Sequence, residues 1–158
     1  FMKGNEKIIN TLNRLLADEL TAINQYMVHS EMCDNWGYGR LHEKVEKRAI
    51  QEMKHAEKII ARILFLEGIP TVSKLNELHI GADVKRQLAN DLAAELNAQK
   101  QYNSAIREAV EIGDNGSREL LESILKDEED HIDWLEAQRD QVEQYGLDNY
   151  LANQIFKD

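Results

Sequence analysis

The feature that most constrains this chain is an internal repeat that carries charge onto helix faces that are otherwise apolar. Gln51-Glu52-Met53-Lys54-His55 and Asp127-Glu128-Glu129-Asp130-His131 share a Glu-x-x-His spacing, and the second copy follows the first by 76 residues. Glu19-Leu20-Thr21-Ala22-Ile23-Asn24-Gln25-Tyr26 and Glu95-Leu96-Asn97-Ala98-Gln99-Lys100-Gln101-Tyr102 agree at glutamate, leucine, alanine, glutamine and tyrosine, again offset by 76. Two separate motifs with one offset mark a two-fold repeat. The fold must therefore bring together two like halves, each with its own Glu and Glu-x-x-His.

The apolar residues recur with the period of a helix in four long segments. Ile8, Leu12, Leu15, Ala22, Tyr26 and Cys33 share a face over about 5–35, and Val45, Ala49, Ala56, Ile59, Ile63 and Leu66 share one over about 40–66. Leu88, Ala98, Tyr102, Ala105 and Ala109 do so over about 83–112, and Leu121, Ile124, Leu135 and Val142 over about 117–145. Gly68 followed by Pro70, and later Gly113 and Gly146, read as helix stops. Ser117 reads as a helix start. A short fifth segment, 148–156, is expected to be helical. The connections run short, long, short, the long one spanning about Ile69 to Asp83. Short links make antiparallel hairpins, and the long one lets the second hairpin cross over and pack beside the first. The expectation is an all-α, single-domain four-helix bundle over 1–158 with one long crossover loop.

On those helices Glu52 and His55 fall on the core stripe of the second, and Glu128 and His131 on that of the fourth, because residues three apart share a face. Glu19 and Glu95 interrupt the apolar faces of the first and third. A lone Glu-x-x-His usually marks a solvated helix face. Here all six residues lie on apolar stripes, and no Lys or Arg shares those stripes at the same level. An isolated carboxylate in a low-dielectric core must be paired, protonated or metal-bound. Two divalent cations would balance four glutamates and leave two imidazoles as nitrogen ligands, a donor set suited to iron or manganese. The spacing thus predicts a dinuclear metal site made of Glu19, Glu52, His55, Glu95, Glu128 and His131.

Composition narrows the function classes. The 158 residues carry a formal net charge of −10, which disfavours nucleic acid and anionic membranes as partners. No run of eighteen apolar residues suggests a membrane span, and the N-terminal stretch has no apolar signal core, so a cytoplasmic location is expected. A single cysteine, Cys33, allows no internal disulfide and no Cys-x-x-Cys metal site. Phe1, ahead of Met2, is given no role.

Taken together, Met2-Lys3-Gly4, the Glu19–Tyr26 segment, Asn35-Trp36-Gly37, Glu52-Met53-Lys54-His55-Ala56, Arg62 to Gly68, Asp127-Glu128-Glu129, His131 to Glu136 and Asn149-Tyr150-Leu151 resemble the bacterioferritins over nearly the whole chain. The resemblance implies a ferritin-like bundle whose subunits form a hollow homo-oligomeric shell of twenty-four, oxidise Fe(II) at a di-iron ferroxidase site and store ferric mineral inside. Carried over by position, its iron ligands are the same six residues. It further implies a b-type haem shared by two subunits and held by one methionine from each, here Met53, with a small ferredoxin supplying electrons for iron release. By itself Met53 reads first as an apolar filler on a flank with Ile50, Ile60 and Leu64, and it is the resemblance that favours the haem ligand. Two positions depart from the commoner family pattern: Glu46-Lys47-Arg48 stands where many members carry a histidine near the inner surface, and Ile59 where many have an aromatic residue. Tyr26 and Trp134 remain beside the site, suited to core packing or to one-electron transfer.

Three other readings compete. A rubrerythrin-like peroxidase needs a cysteine-rich electron-transfer module that one cysteine cannot provide. A DNA-binding mini-ferritin builds its iron site between subunits, whereas all six ligands here fit one bundle. A purely structural bundle would leave six core ligands without a physical reason.

Overall fold

A computed structural model describes residues 3–156, so Phe1 and Met2 of the opening stretch lie outside the described residues. Four long helices, α1 (Glu6–Asn35), α2 (Gly39–Phe65), α3 (Val84–Ile112) and α4 (Asn115–Tyr145), are followed by a short α5 (Leu147–Ala152). Helices α1 and α2 form one antiparallel hairpin and α3 and α4 the other; α1 packs against α3 and α2 against α4, while α5 folds back on α4.

The helix ends follow from local chemistry. Asn5 and Asp83 start α1 and α3, their side chains accepting from the N–H groups of Lys7 and Arg86 at 2.8 Å. Helix α4 begins at Asn115, before Ser117, because the Asp114 carboxylate accepts from the Ser117 N–H at 3.0 Å and takes the capping role itself. Ser117 is buried and donates its hydroxyl to Asp114 while accepting from Arg62 of α2 at 3.0 Å. This ties the two hairpins at one end.

At the end of α2 the left-handed residue is Glu67, φ 63°, and not the glycine beside it. Gly68 N–H bonds the Ile63 carbonyl at 2.9 Å and Glu67 N–H that of Leu64 at 3.0 Å, the paired pattern of a Schellman end. Gly68 is needed for space, since a Cβ there would lie 2.7 Å from Ile9 Cγ2. Helix α5 stops at Ala152, four residues short of the expected 156, because the Asn153 and Gln154 N–H groups turn back to the Tyr150 and Leu151 carbonyls in a tighter turn.

The apolar core falls into two clusters. One gathers Leu12, Leu16, Ile59, Ile63, Ala105, Leu121 and Ile124; the other gathers Cys33, Leu41, Leu88, Leu135, Val142 and Tyr150. Along every long helix the predicted ligands fall between the segments that supply these clusters, so apolar packing closes the bundle above and below them.

The crossover, 66–83, is held by a ladder along α1. The N–H groups of Asn76, His79 and Gly81 donate to Thr21 Oγ1 at 2.8 Å, Gln25 Oε1 at 3.2 Å and His29 Nε2 at 3.0 Å, three side chains one helical turn apart. Gln25 and the Nδ1 of His29 both meet Asp91 Oδ1 of α3, at 2.8 and 2.9 Å. One buried carboxylate thereby orients the residues that hold the loop. Replacing Asp91 by alanine strands two buried donors and is expected to cost about 3 kcal/mol of stability. Amide exchange should accelerate first at His79 and Gly81, the amides held by Gln25 and His29. A thermal melt and an exchange map check this; unchanged protection at those two amides would contradict it.

Candidate metal centre

Glu19, Glu52, His55, Glu95, Glu128 and His131 are all buried. Each sits mid-helix, where the backbone N–H groups are already used within the helix, so only side chains or a cation can satisfy it. Ligand atoms of Glu19, Glu52, His55 and Glu128 lie within 4.8 Å of one another. His55 Nδ1 stands 3.1 Å from Glu128 Oε1, 3.5 Å from Glu52 Oε2 and 3.7 Å from Glu19 Oε2. Glu95 and His131 form a pair beside this group, Nδ1 to Oε1 at 3.1 Å, and Glu95 stands close enough to Glu128 for each to influence the other's protonation. Four of the six predicted ligands thus make one compact cluster, and the other two adjoin it as a linked pair.

Every one of the six carries a buried atom with no hydrogen-bond partner among the described residues: Oε2 of Glu19 and Glu95, Oε1 of Glu52 and Glu128, and Nδ1 of both histidines. Although 3.1 Å apart, His55 Nδ1 and Glu128 Oε1 are not aligned for a hydrogen bond, and neither is His131 Nδ1 for its neighbour. Buried donors and acceptors left unmet are rare and costly. Oxygen and imidazole nitrogen atoms turned toward shared space are what a carboxylate-rich metal site requires, and the donor set fits iron.

The repeat is visible in the hydrogen bonds. The Tyr26 hydroxyl donates to Glu95, and the Tyr102 hydroxyl, 76 residues on, donates to Glu19, so the tyrosine of each half holds the glutamate of the other. Burial, followed by the adjacent carboxylates, keeps both phenols neutral, far above the usual tyrosine range. The halves differ behind the histidines. His55 Nε2 donates to Asp127 Oδ2 at 2.8 Å, which turns Nδ1 toward the carboxylates. The residue matching Asp127 in the first half is Gln51, which is engaged by Arg48. His131 is held by rings, edge-on to Tyr26 with centroids 5.4 Å apart and stacked with Trp134 at 5.9 Å. Asp127 opens the second Glu-x-x-His stretch and Tyr102 closes the second Glu-Leu segment. Both were in plain sight, but nothing in the spacing says which residue a side chain reaches across helices.

Protonation follows from burial and crowding. Burial and then the Glu19 charge push Glu52 well above the carboxylate range, and burial followed by Glu95 does the same to Glu128. Burial also works against ionised Glu95, but its close contacts with Glu128 and His131 and the Tyr26 hydrogen bond outweigh it and hold this group at about 2. For His55 burial favours the neutral ring, yet the Glu128, Glu19 and Asp127 contacts together raise it to about 10. Burial dominates at His131 and lowers it, since Glu95 is its main carboxylate neighbour.

Residues 9–145 match the family model of the ferritin-like domain. A Rhodobacter capsulatus protein named bacterioferritin is 47% identical over 137 residues, covering 87% of this chain and 85% of that one. Bacterioferritins of Brucella melitensis, at 42% over 149 residues (94% and 92% covered), and Mycolicibacterium paratuberculosis, at 41% over 151 (96% and 95% covered), are similar at comparable length. The chain belongs to the bacterioferritin family. Its bundle is the ferritin-like fold, and the buried carboxylate–histidine cluster of this chain fits a metal site. Met53 lies apart from that cluster, 46% exposed on α2 near exposed Ile50 and Leu64, with Ile60 half-buried beside them. Among the described residues no helix is long and apolar enough to cross a membrane.

In the metal-free protein the raised Glu52, Glu128 and His55 favour their protonated forms, so a cation competes with protons for them. Adding Co(II) at pH 7 should release protons, and affinity should rise with pH, because protons compete with the cation for the raised groups and that competition weakens as pH rises. A pH-stat titration reads this, and proton-neutral binding would contradict it.

Proposed function

We propose that this chain stores and detoxifies iron, binding two Fe(II) ions per subunit as substrate and oxidising them to Fe(III), a ferroxidase reaction that feeds a hollow shell. The observation that carries the reading is the set of six unmet buried donor atoms, one on each of six residues from two repeats. In this reading Glu52 and Glu128 bridge the ions, Glu19 and Glu95 are terminal, and His55 and His131 each complete one. Each Fe(II) gives up one electron; dioxygen takes two electrons and two protons and leaves as hydrogen peroxide, or peroxide takes the same and leaves as water. Carboxylate ligands favour the ferric state and help drive the step. Tyr26 and Tyr102, by donating to Glu95 and Glu19, hold the terminal carboxylates in place.

Oligomerisation belongs to the same proposal: a homo-oligomer of twenty-four subunits assembled from two-fold dimers, cytoplasmic, served by a small ferredoxin during iron release. The exposed thioether of Met53, set in an apolar flank, would hold a b-type haem shared with a second subunit. Such a haem would supply a one-electron path across the shell.

Titrating metal-free protein with Fe(II) in air tests the function. A fast phase near two irons per chain, followed by slower uptake well beyond it, is expected; no fast phase would overturn the reading. Glu128→Ala should lose the fast phase by more than about tenfold while the protein stays folded and assembled. Met53→Leu should lose haem absorbance yet keep the fast phase, and a variant that still binds haem would exclude Met53 as its ligand.

A further inference from the structure

Two cavities reach the candidate metal centre, and they carry opposite charge. One, of about 560 Å³ and lined mainly by α1, α3 and the crossover, has Asp18, Glu77 and the four site glutamates in its wall and no lysine or arginine. The other, also about 560 Å³, opens between α2 and α4 and is lined by Lys44, Lys47, Arg48, Lys54 and Lys58. Asp127 is its one carboxylate, and His55 and His131 line it too. Five of the chain's 19 lysines and arginines thus gather in one cavity of a protein with net charge −10.

All five come from α2, spread over about 21 Å of helix. Lys54 and Lys58 are like charges four residues apart, a spacing that destabilises a helix through repulsion. Asp127 does little to relieve this, because its carboxylate is engaged by His55. Arg48 is half-buried, and its guanidinium is oriented by Gln51. A preset guanidinium fork beside several ammonium groups, wrapped around a concave wall, is the arrangement that recognises a multiply charged oxyanion.

We propose that this cavity is a binding site for a phosphate-class oxyanion. Two negative charges at neutral pH and several acceptor oxygens let one phosphate engage donors from successive turns of α2, which a single carboxylate cannot do. The candidate metal centre therefore stands between an acid-lined cavity that suits Fe(II) and a base-lined one that disfavours a cation and suits an anion. That the anion sits beside an iron-oxidising centre rests on the function proposed above; its binding to the metal-free protein does not. The anion source is free orthophosphate or a linear polyphosphate laid along the stripe.

The test is calorimetric titration of metal-free protein with orthophosphate and, separately, tripolyphosphate at low ionic strength. Three proteins are compared: the native chain, K47Q/K54Q/K58Q, and a control of equal charge change outside the cavity, K85Q/K100Q/K126Q. All six substituted side chains are exposed, so the fold should be kept. Binding at least tenfold weaker in the cavity variant and within about twofold in the control is expected. Tighter binding of tripolyphosphate than of orthophosphate would support the extended chain as ligand, and the reverse the single anion. Equal weakening in both variants, or no binding to the native chain, overturns the proposal. A native chain that binds phosphate but shows no fast Fe(II) phase would sink the iron reading alone. Fast oxidation without phosphate binding would sink the anion site alone.

Discussion

Everything in this bundle is arranged around the cost of placing four glutamates in its interior. A carboxylate there has no water and, in mid-helix, no free backbone N–H. The fold meets that cost in stages. Two apolar clusters close the bundle on either side of the charged layer. Two buried tyrosines donate across the repeat to Glu95 and Glu19. The unmet oxygen atoms of the four glutamates remain, beside an unmet Nδ1 on each of the two histidines, a set of atoms that fits a cation. Without a cation, Glu52, Glu128 and His55 all favour their protonated forms, which couples the charge state of the site to whatever binds there.

The pseudo-two-fold symmetry is kept where it serves the glutamates and broken around them. His55 has Asp127 behind it, and His131 has the Trp134 and Tyr26 rings. One ring is thus raised to about 10 and the other lowered. The two ends of the centre are therefore not chemically equal, although their ligands are the same residue types. The surroundings diverge further at the cavities, acid-lined toward α1 and α3 and base-lined toward α2 and α4. The basic wall includes Lys47 and Arg48, in the stretch that departs from the commoner family pattern.

How much of this could be read in the linear chain depends on the range of the interaction. The four long helices and the burial of all six predicted ligands were legible, because period and offset are local properties that burial then obeys. The start of α4 was misplaced by two residues, since Asp114 and Ser117 are both good caps and only the bond from Ser117 to Arg62 on another helix decides between them. Gly68 was read as a helix stop, yet Glu67 takes the left-handed turn, and the glycine is there because Ile9 of α1 leaves no room for a Cβ. The crossover ladder from Thr21, Gln25 and His29 was not foreseen: those side chains meet loop amides more than fifty residues away.

The sequence by itself determined that two like halves, each bearing a glutamate and a Glu-x-x-His on an apolar stripe, must place their charges together. A helix permits one face per period, and that face must be buried. Tertiary structure alone decided which tyrosine serves which glutamate, which histidine receives Asp127, and that acid and base line opposite approaches to the centre. Those choices depend on which helices become neighbours and on the rotation of each about its axis. Packing sets both, and no local run of residues records them.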